Sequence, residues 1–298
     1  MFESFKRKKI KVNIFYIGLP KCASTWLYEN LKGAKNIVLS KPRDLHFFDL
    51  YFHRGEDWYH KFFKGIKENS ENNYMDICHD YLFYKSALER IKNYNPKSIL
   101  IIHFRNPLDL IYSLYDECYQ NGFIYFLEHG YDRPSNFEDF LKHPFIHKIL
   151  NYKKNIKNVN KLFPAEQLLI SSSEYIKENF EGYKKNFEKT TKINFNSEKV
   201  PEIIIRPFST KQKYMRFLVT LLSLVSMYFR RSGIPFLMRI INFKSYLNQI
   251  SLIKNKNVTL KFEKNRNSIF DLEILNLFKK INGMDYKTFL ENYSTTLD

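Results

Sequence analysis

A candidate anion-binding loop lies between residues 18 and 27, which read GLPKCASTWL. An apolar, β-prone run ends just before it, and a stretch with helical character begins at Thr25. Backbone N–H groups and the positive end of the helix dipole favour an anion at such a junction. Lys21 adds a formal charge, and Ser24 and Thr25 add hydroxyl donors. The same hydroxyls could cap the helix without a ligand, so this loop alone leaves both interpretations open.

The loop differs from the Walker A loop, which reads G-x-x-x-x-G-K-[ST]. Its second glycine is missing, and its lysine comes three residues before Ser24. A conventional ATP or GTP hydrolase is therefore not favoured.

A second group of polar residues follows the most apolar strand of the chain. Arg105 ends the run KSILIIHF, Asn106-Pro107 comes next, and Ser113 lies eight residues after Arg105 on the following helix. Open parallel sheets bind ligands at the carboxyl ends of their strands. Arginine offers a fixed fork of donors that suits phosphate, and Ser113 could reach the same phosphate. The alternative is an arginine that pairs with Asp109 at the sheet edge.

Short apolar strands alternate with helices along the first two thirds of the chain. The predicted strands are residues 12–17, 36–39, 73–77, 97–104 and 167–171, and the predicted helices are 25–31, 107–119 and 145–162. This alternation predicts an α/β fold, a P-loop-like parallel sheet flanked by helices. From about residue 203 the pattern is mostly helical, and amphipathic helices are predicted within 271–290. We expect one domain over 1–298, with an α/β core at 12–200 and a mostly helical C-terminal portion at 201–298.

Together the two loops resemble the nucleotide-binding signature of sulfotransferases that use 3′-phosphoadenosine 5′-phosphosulfate (PAPS). PKCASTWL resembles the family's 5′-phosphosulfate loop, P-K-x-G-T-T-W-L, and IIHFRNPLDLIYS its 3′-phosphate motif. LSKPRDLHFFDLYFHRGEDWYHKFF resembles the K-E-x-H-F-F-D and G-x-x-W-Y segments of the carbohydrate-directed, heparan-sulfate-type branch. DICHDY is similar to its E-x-S-P-x-Y, and FPAEQLLISSSEY to its later F-P-x-E-Q strand segment. The resemblance covers about residues 12–190.

Four positions depart from this pattern. Ala23 stands for the usual glycine. Arg43 stands for the family's lysine, and Asp44 stands for its glutamate. His79 stands where the third motif has proline.

The resemblance implies transfer of a sulfuryl group from PAPS to a hydroxyl of a carbohydrate or glycan-like acceptor, as in an enzyme of the EC 2.8.2 type. Lys21 would stabilise the leaving oxygen. The implied nucleotide-binding residues are Lys21, Cys22, Ala23, Ser24, Thr25, Trp26, Arg105 and Ser113. Trp26 would stack on adenine, with a core position as its alternative. The scheme requires no metal.

The acceptor hydroxyl needs a base, and Asp44 is the first choice by its position in the motif. Burial would raise its pKa from near 4 toward the working range. His46 is the alternative base. Structural interpretations remain beside both: Asp44 could pair with Arg43 or Lys41, and His46 could pack beside Phe47.

Two other functions compete with sulfuryl transfer, a kinase and a nucleic-acid-binding protein. The chain has 298 residues and a net charge of +17, which suits an anionic partner. A small-molecule or nucleotide kinase is disfavoured because no Mg²⁺-binding carboxylate is evident after a strand. A basic nucleic-acid-binding protein fits the charge, but the sequence contains no recognised module, so we expect no specific nucleic acid. The expected partner is a glycan or small-molecule acceptor.

The remaining features concern location and metals. The apolar run 217–229 is shorter than the about 20 residues that a spanning helix needs, so it predicts a buried core helix. Its alternative is peripheral membrane contact through 214–243, where arginines flank the run. Three cysteines without a C-x-x-C pair fit a reducing, cytoplasmic compartment. The histidine sets 46/53/60 and 143/147 are not expected to bind metal, and Pro144 disfavours one helix carrying the second set.

Overall fold

The computed structural model describes residues 10–63, 73–120, 122–195 and 268–295, together with the helical positions 221, 224, 225 and 228. Five parallel strands form one sheet in the order β2-β3-β1-β4-β5. The strands are β1 Ile14–Gly18, β2 Ile37–Leu39, β3 Asn73–Ile77, β4 Ile99–Phe104 and β5 Leu168–Ser172. The prediction of a parallel α/β fold is confirmed, and each predicted strand matches an observed one to within two residues at either end.

The central strands form because their residues are apolar on both faces of the sheet. Ile14 and Tyr16 point into one buried cluster, and Phe15 and Ile17 point into another, as the two-residue period of a strand requires. Helices cover both faces, as expected for a parallel sheet. All five strands therefore end at one carboxyl edge, where the loops that follow them meet.

Helices surround the sheet. They are α1 Ser24–Leu31, α2 Glu56–His60, α3 Lys85–Tyr94, α4 Pro107–Gln120, α5 Ile124–Glu128, α6 Phe137–Lys142, α7 Pro144–Leu150, α8 Tyr152–Asn160, α9 Ser173–Glu178, α10 Phe180–Thr191, α11 Ser268–Asn282 and α12 Tyr286–Tyr293. The single helix predicted at 145–162 is wrong. It divides at Asn151, whose side chain accepts a hydrogen bond from Lys154 N and so caps a new helix. His143 caps α7 from outside while His147 lies within it, so one helix does not carry both histidines.

Gly18 ends β1 at a point of close packing. A Cβ built there would lie 2.7 Å from Leu82 Cδ2 and 2.9 Å from Leu82 Cβ. Only a residue without a side chain allows β1 to pass the turn that follows β3. This packing fixes where the first loop leaves the sheet.

The described C-terminal helices pack onto the α/β core. Tyr112 of α4 donates a 2.8 Å hydrogen bond to Asp271 of α11, and Asn282 Nδ2 donates to the Leu150 carbonyl at 2.9 Å. Beyond α12, Thr295 N donates to Ile170 O of β5. The division into 12–200 and 201–298 remains a prediction, because most of 196–267 lies outside the described residues.

The interpretation of 217–229 as a buried core helix is wrong where the structure describes it. Leu221, Leu224, Val225 and Tyr228 are helical, with exposed fractions of 45%, 38%, 40% and 67%. Among the described residues, no helix is long and apolar enough to cross a membrane. The remaining positions of 214–243 lie outside the described part of the chain.

Candidate functional site

Two buried side chains hold the loop after β1 in place. Tyr16 donates its hydroxyl to the Cys22 carbonyl at 2.8 Å, and His103 Nδ1 lies 3.2 Å from the same oxygen. Burial lowers the pKa of His103 to about 3, so its ring is neutral. Since a carbonyl only accepts, Nδ1 carries the hydrogen, and Nε2 accepts from Tyr183 at 2.9 Å. The loop is thereby fixed to the carboxyl ends of β1 and β4.

Lys21 and Arg105 meet at this loop. Arg105 Nη1 donates a 2.9 Å hydrogen bond to the Lys21 carbonyl. A guanidinium has five N–H donors, and this bond uses one of them. Lys21 Nζ lies 3.1 Å from Glu117 Oε2 on α4, with side-chain exposures of 14% and 27%. The residues that follow β1 and β4 are therefore in direct contact through the Arg105 side chain, and Glu117 contacts the Lys21 ammonium.

The backbone of the loop turns through left-handed conformations. Lys21 has φ 64° and Ala23 has φ 66°, which costs an L-residue about 1–2 kcal/mol where glycine adopts it readily. Ala23 is the N-cap of α1 and makes no side-chain capping hydrogen bond. The interpretation of Ser24 or Thr25 as the cap is therefore wrong, since both lie inside the first turn of the helix.

The other predicted loop residues fall into two groups. Ser24 and Thr25 are partly exposed, and Thr25 Oγ1 accepts a 2.6 Å hydrogen bond from Arg43 Nη1. Cys22 and Trp26 are buried. Burial raises the pKa of the Cys22 thiol, so this residue offers its backbone rather than a thiolate.

Trp26 lies in an aromatic cluster, with ring centroids 5.8–6.0 Å from those of Phe180, Tyr183 and Phe195. The structure thus places it in the core. Its stacking on adenine stays a prediction.

Ser113 lies on the same face of α4 as Glu117, one turn earlier. Since Glu117 contacts Lys21, this face of the helix is turned toward the first loop. The two segments that the sequence singled out, 18–27 and 105–113, are therefore brought together.

The loops after β2 and β3 bring together an aspartate and a histidine. Asp44 N donates to the Ile77 carbonyl at 2.8 Å, which sets Asp44 beside the end of β3. Asp44 Oδ1 lies 2.8 Å from His79 Nδ1, with side-chain exposures of 27% and 19%. Although burial alone would raise the pKa of Asp44, the His79 imidazolium lowers it to about 2. The expected net rise of this pKa toward the working range is therefore wrong, because the effect of the cationic partner outweighs that of burial.

A buried polar cluster lies behind this pair. His46 is 3% exposed, and its Nδ1 lies 3.0 Å from Asp49 Oδ2, 3.6 Å from Asp80 Oδ2 and 3.7 Å from Cys78 Sγ. His129 Nε2 contacts Asp80 Oδ2 at 3.0 Å. His46 therefore faces buried groups, and Asp44 is the more exposed of the two candidate bases.

Two sets of three side chains within this cluster have metal-ligating atoms close to one another. They are His46, Asp49 and Cys78, and His46, Asp80 and His129, with the atoms of each set within 4.8 Å. These atoms already contact each other as hydrogen-bonding or ion-pair partners. The cluster thus has a structural explanation that needs no ion.

Asp76 on β3 is a third buried carboxyl. It is 0% exposed, and its Oδ2 accepts hydrogen bonds from Tyr59 at 2.9 Å and Tyr81 at 3.0 Å. Burial raises its pKa to about 7 against the opposing effect of these hydroxyls. Tyr51 and Trp58 are also buried. These two residues therefore lie in the core together with Tyr59 and Tyr81.

Sequence reasoning missed the partners of the residues that it named. Glu117 contacts Lys21, Arg43 contacts Thr25, and His79 contacts Asp44. His79 carried one available signal, since it follows a strand end on the same sheet edge as the first loop.

The fold and its loops define a P-loop-like α/β protein with basic residues at the ends of β1 and β4. The chain belongs to the sulfotransferase family: residues 11–233 match the sulfotransferase domain. Sulfuryl transfer is the reaction that this membership indicates, ahead of the kinase and nucleic-acid-binding alternatives.

Solved structures of sulfotransferases are similar to this chain. A sulfotransferase from Alicyclobacillus acidocaldarius is similar with a TM-score of 0.52 and 17% identity, over 78% of this chain and 96% of that one. Mouse sulfotransferase SULT7A1 complexed with PAP has a TM-score of 0.48 and 13% identity, over 95% of this chain and 89% of that one. A search of curated proteins finds no matching sequence.

Proposed function

We propose that the chain transfers a sulfuryl group from PAPS to a hydroxyl of a carbohydrate or glycan-like acceptor. The observation that carries the proposal is the hydrogen bond from Arg105 to the Lys21 carbonyl. It joins the two loops that carry Lys21 and Arg105, which suits a nucleotide with phosphates at two positions. ATP lacks the 3′-phosphate, and a guanidinium left without its anion would disfavour it.

On the nucleotide side, each residue has a separate task. The N–H groups at the start of α1, with the Ser24 and Thr25 hydroxyls, would hold the 5′-phosphosulfate. Arg105 and Ser113 would hold the 3′-phosphate. Lys21 would neutralise the charge that develops on the leaving oxygen, once its ammonium exchanges Glu117 for that oxygen.

The transfer step balances without a further reactant. A bond forms between the acceptor oxygen and sulfur while the bond between sulfur and the bridging phosphosulfate oxygen breaks. That electron pair leaves with the nucleotide as 3′-phosphoadenosine 5′-phosphate, and the hydroxyl proton passes to the base. No metal takes part in this scheme.

Asp44 is the base that we favour. It is partly exposed beside the first loop, whereas His46 is buried against Asp49 and Asp80. The low pKa of Asp44 keeps it ionised at neutral pH but also makes it a weak base, so the proton would pass to it as the acceptor oxygen bonds to sulfur. The carbohydrate class of the acceptor rests on the motif resemblance of the segment around Asp44.

Thermal unfolding with 3′-phosphoadenosine 5′-phosphate tests the nucleotide site, with ATP, ATP–Mg²⁺ and AMP as controls. At about 100 times its Kd the ligand should stabilise the fold by about 2.7 kcal/mol, which is several degrees in Tm. The shift should vanish in Arg105→Ala. A shift with ATP–Mg²⁺ instead would support a kinase, and no shift with any nucleotide would overturn the proposal.

The acceptor class needs a separate assay. Wild-type protein and PAPS are incubated with oligosaccharides and, in parallel, with phenolic and aliphatic alcohols. Sulfated products are identified by mass spectrometry. We expect sulfated oligosaccharides. Sulfation of phenols alone would support sulfuryl transfer but reject the carbohydrate acceptor.

A further inference from the structure

We propose that His79 is the positioning residue for Asp44, clamping the acceptor-side carboxylate to the end of β3. The inference rests on the proposed function, because it takes Asp44 as the group that meets the acceptor. His79 lies in the DICHDY segment, where the family motif has proline, and the resemblance assigns it no role.

The clamp is visible in the contacts of the His79 ring. Its Nδ1 lies 2.8 Å from Asp44 Oδ1, and its Nε2 lies 3.5 Å from Asp80 Oδ1. Asp80 is 0% exposed and is held by His129 and by the Tyr125 hydroxyl. One imidazole thus links the partly exposed Asp44 to a carboxylate that is fixed in the interior.

The backbone at Asp44 needs such a support. Its φ of 55° lies in the left-handed region, which is unfavourable for an L-residue. Strained residues of this kind persist only where their surroundings hold them. Two contacts hold Asp44: its N–H donates to Ile77 O, and its carboxylate meets His79.

The charges around His79 keep it cationic in the working pH range. Burial alone would lower its pKa, but Asp44 and Asp80 raise it to about 9 against the opposing His46. The Tyr125 ring lies 5.9 Å from the His79 ring, and His46 lies at 6.4 Å. Since His79 stays protonated at neutral pH and both its nitrogens face carboxylates, it is not the proton acceptor. It acts through Asp44.

A double-mutant cycle on kcat tests this role, using Asp44→Asn, His79→Gln and the double variant. We expect His79→Gln to lower kcat about 10- to 100-fold with little change in the affinity for 3′-phosphoadenosine 5′-phosphate, because misplacement by 1 Å costs about that much. In the Asp44→Asn background the further loss should be near zero. Equal losses in both backgrounds would overturn the proposal.

His129→Gln is the matched control. It removes a different imidazole that contacts Asp80 but leaves Asp44 and His79 in contact. We expect kcat within about threefold of wild type, because His79 and the Tyr125 hydroxyl still contact Asp80. Losses as large as those of His79→Gln would mean that a damaged Asp80 cluster, rather than the clamp on Asp44, accounts for the effect.

The pH profile gives a readout that a purely structural role does not share. Because the pKa of His79 is about 9, wild-type kcat should fall as pH rises through 9, where the imidazole loses its proton. Asp44 itself stays ionised over that range. The alkaline decline should be absent from the residual activity of His79→Gln, and its persistence there would contradict the proposal.

An NMR titration of the His79 ring separates this inference from the proposed function. In the wild type its pKa should lie near 9 and fall by a unit or more in Asp44→Asn. An ordinary value near 6.5 overturns the clamp whatever the activity. A His79 pKa near 9 in a protein that binds no nucleotide and transfers no sulfuryl group would overturn the proposed function. It would still support the contact between Asp44 and His79.

Discussion

The two sides of the sheet edge satisfy their charges in opposite ways. On the side that we propose binds the nucleotide, Arg105 donates to the Lys21 carbonyl, and the Lys21 ammonium contacts the partly exposed Glu117. On the acceptor side, carboxylates and imidazoles contact each other. They are Asp44, His79, Asp80, His46, Asp49 and His129.

This difference indicates what each side requires. The residues that we propose meet the phosphates should govern binding. The carboxylates and imidazoles that contact each other hold their groups in place, so they should govern the rate and the response to pH. Three predictions test this division.

The largest effect is expected on the nucleotide side. Lys21→Ala and Arg105→Ala should each lower kcat/KM by at least about 10³-fold, because each removes a cation that meets a developing or bound charge. Arg105→Ala should also bind 3′-phosphoadenosine 5′-phosphate no better than AMP. Lys142→Ala, an exposed lysine paired with Glu138, serves as the control and should keep wild-type kinetics. Retained discrimination against AMP in Arg105→Ala would remove Arg105 from the 3′-phosphate site.

A smaller effect is expected at Asp44. Asp44→Asn should leave the Kd for 3′-phosphoadenosine 5′-phosphate unchanged and lower kcat by about 10²- to 10³-fold, since a positioned general base contributes on that order. Steady-state kinetics and calorimetric binding measure the two quantities. Full activity in this variant would reject Asp44 as the base and leave His46 as the candidate.

The smallest effect concerns stability and involves no ligand. The pKa of the buried Asp76 is raised to about 7, above its unfolded value. Its contribution to stability is therefore fully present below about pH 4 and is lost as pH rises through 7. Relative to wild type, Asp76→Asn should gain on the order of 2 kcal/mol between pH 5 and pH 8. Urea unfolding at both values measures this gain, and a constant difference would show that Asp76 stays ionised.

The sequence predicted the sheet and the first loop because both depend on local patterns. Apolar runs that end at Gly18 and Arg105 define strands, and the intervening polar residues define an anion site. It did not predict Glu117 or His79 as partners, because each contact joins segments that only the fold brings together.

Two other predictions failed for related reasons. The apolar composition of 217–229 predicted a buried helix, but Leu221 is exposed. Composition alone does not show whether another part of the chain packs against a helix. The break at Asn151 was missed because a single capping side chain divides an otherwise continuous helical pattern.

Under the proposed function, the ion pair between Lys21 and Glu117 would make nucleotide binding an exchange of partners. An incoming phosphosulfate would compete with a carboxylate of the same chain, which the fold holds at a high effective concentration. The affinity for the nucleotide would then report the difference between two ion pairs. The same carboxylate would return to the ammonium when the bisphosphate leaves, so the contact that weakens binding would also assist product release.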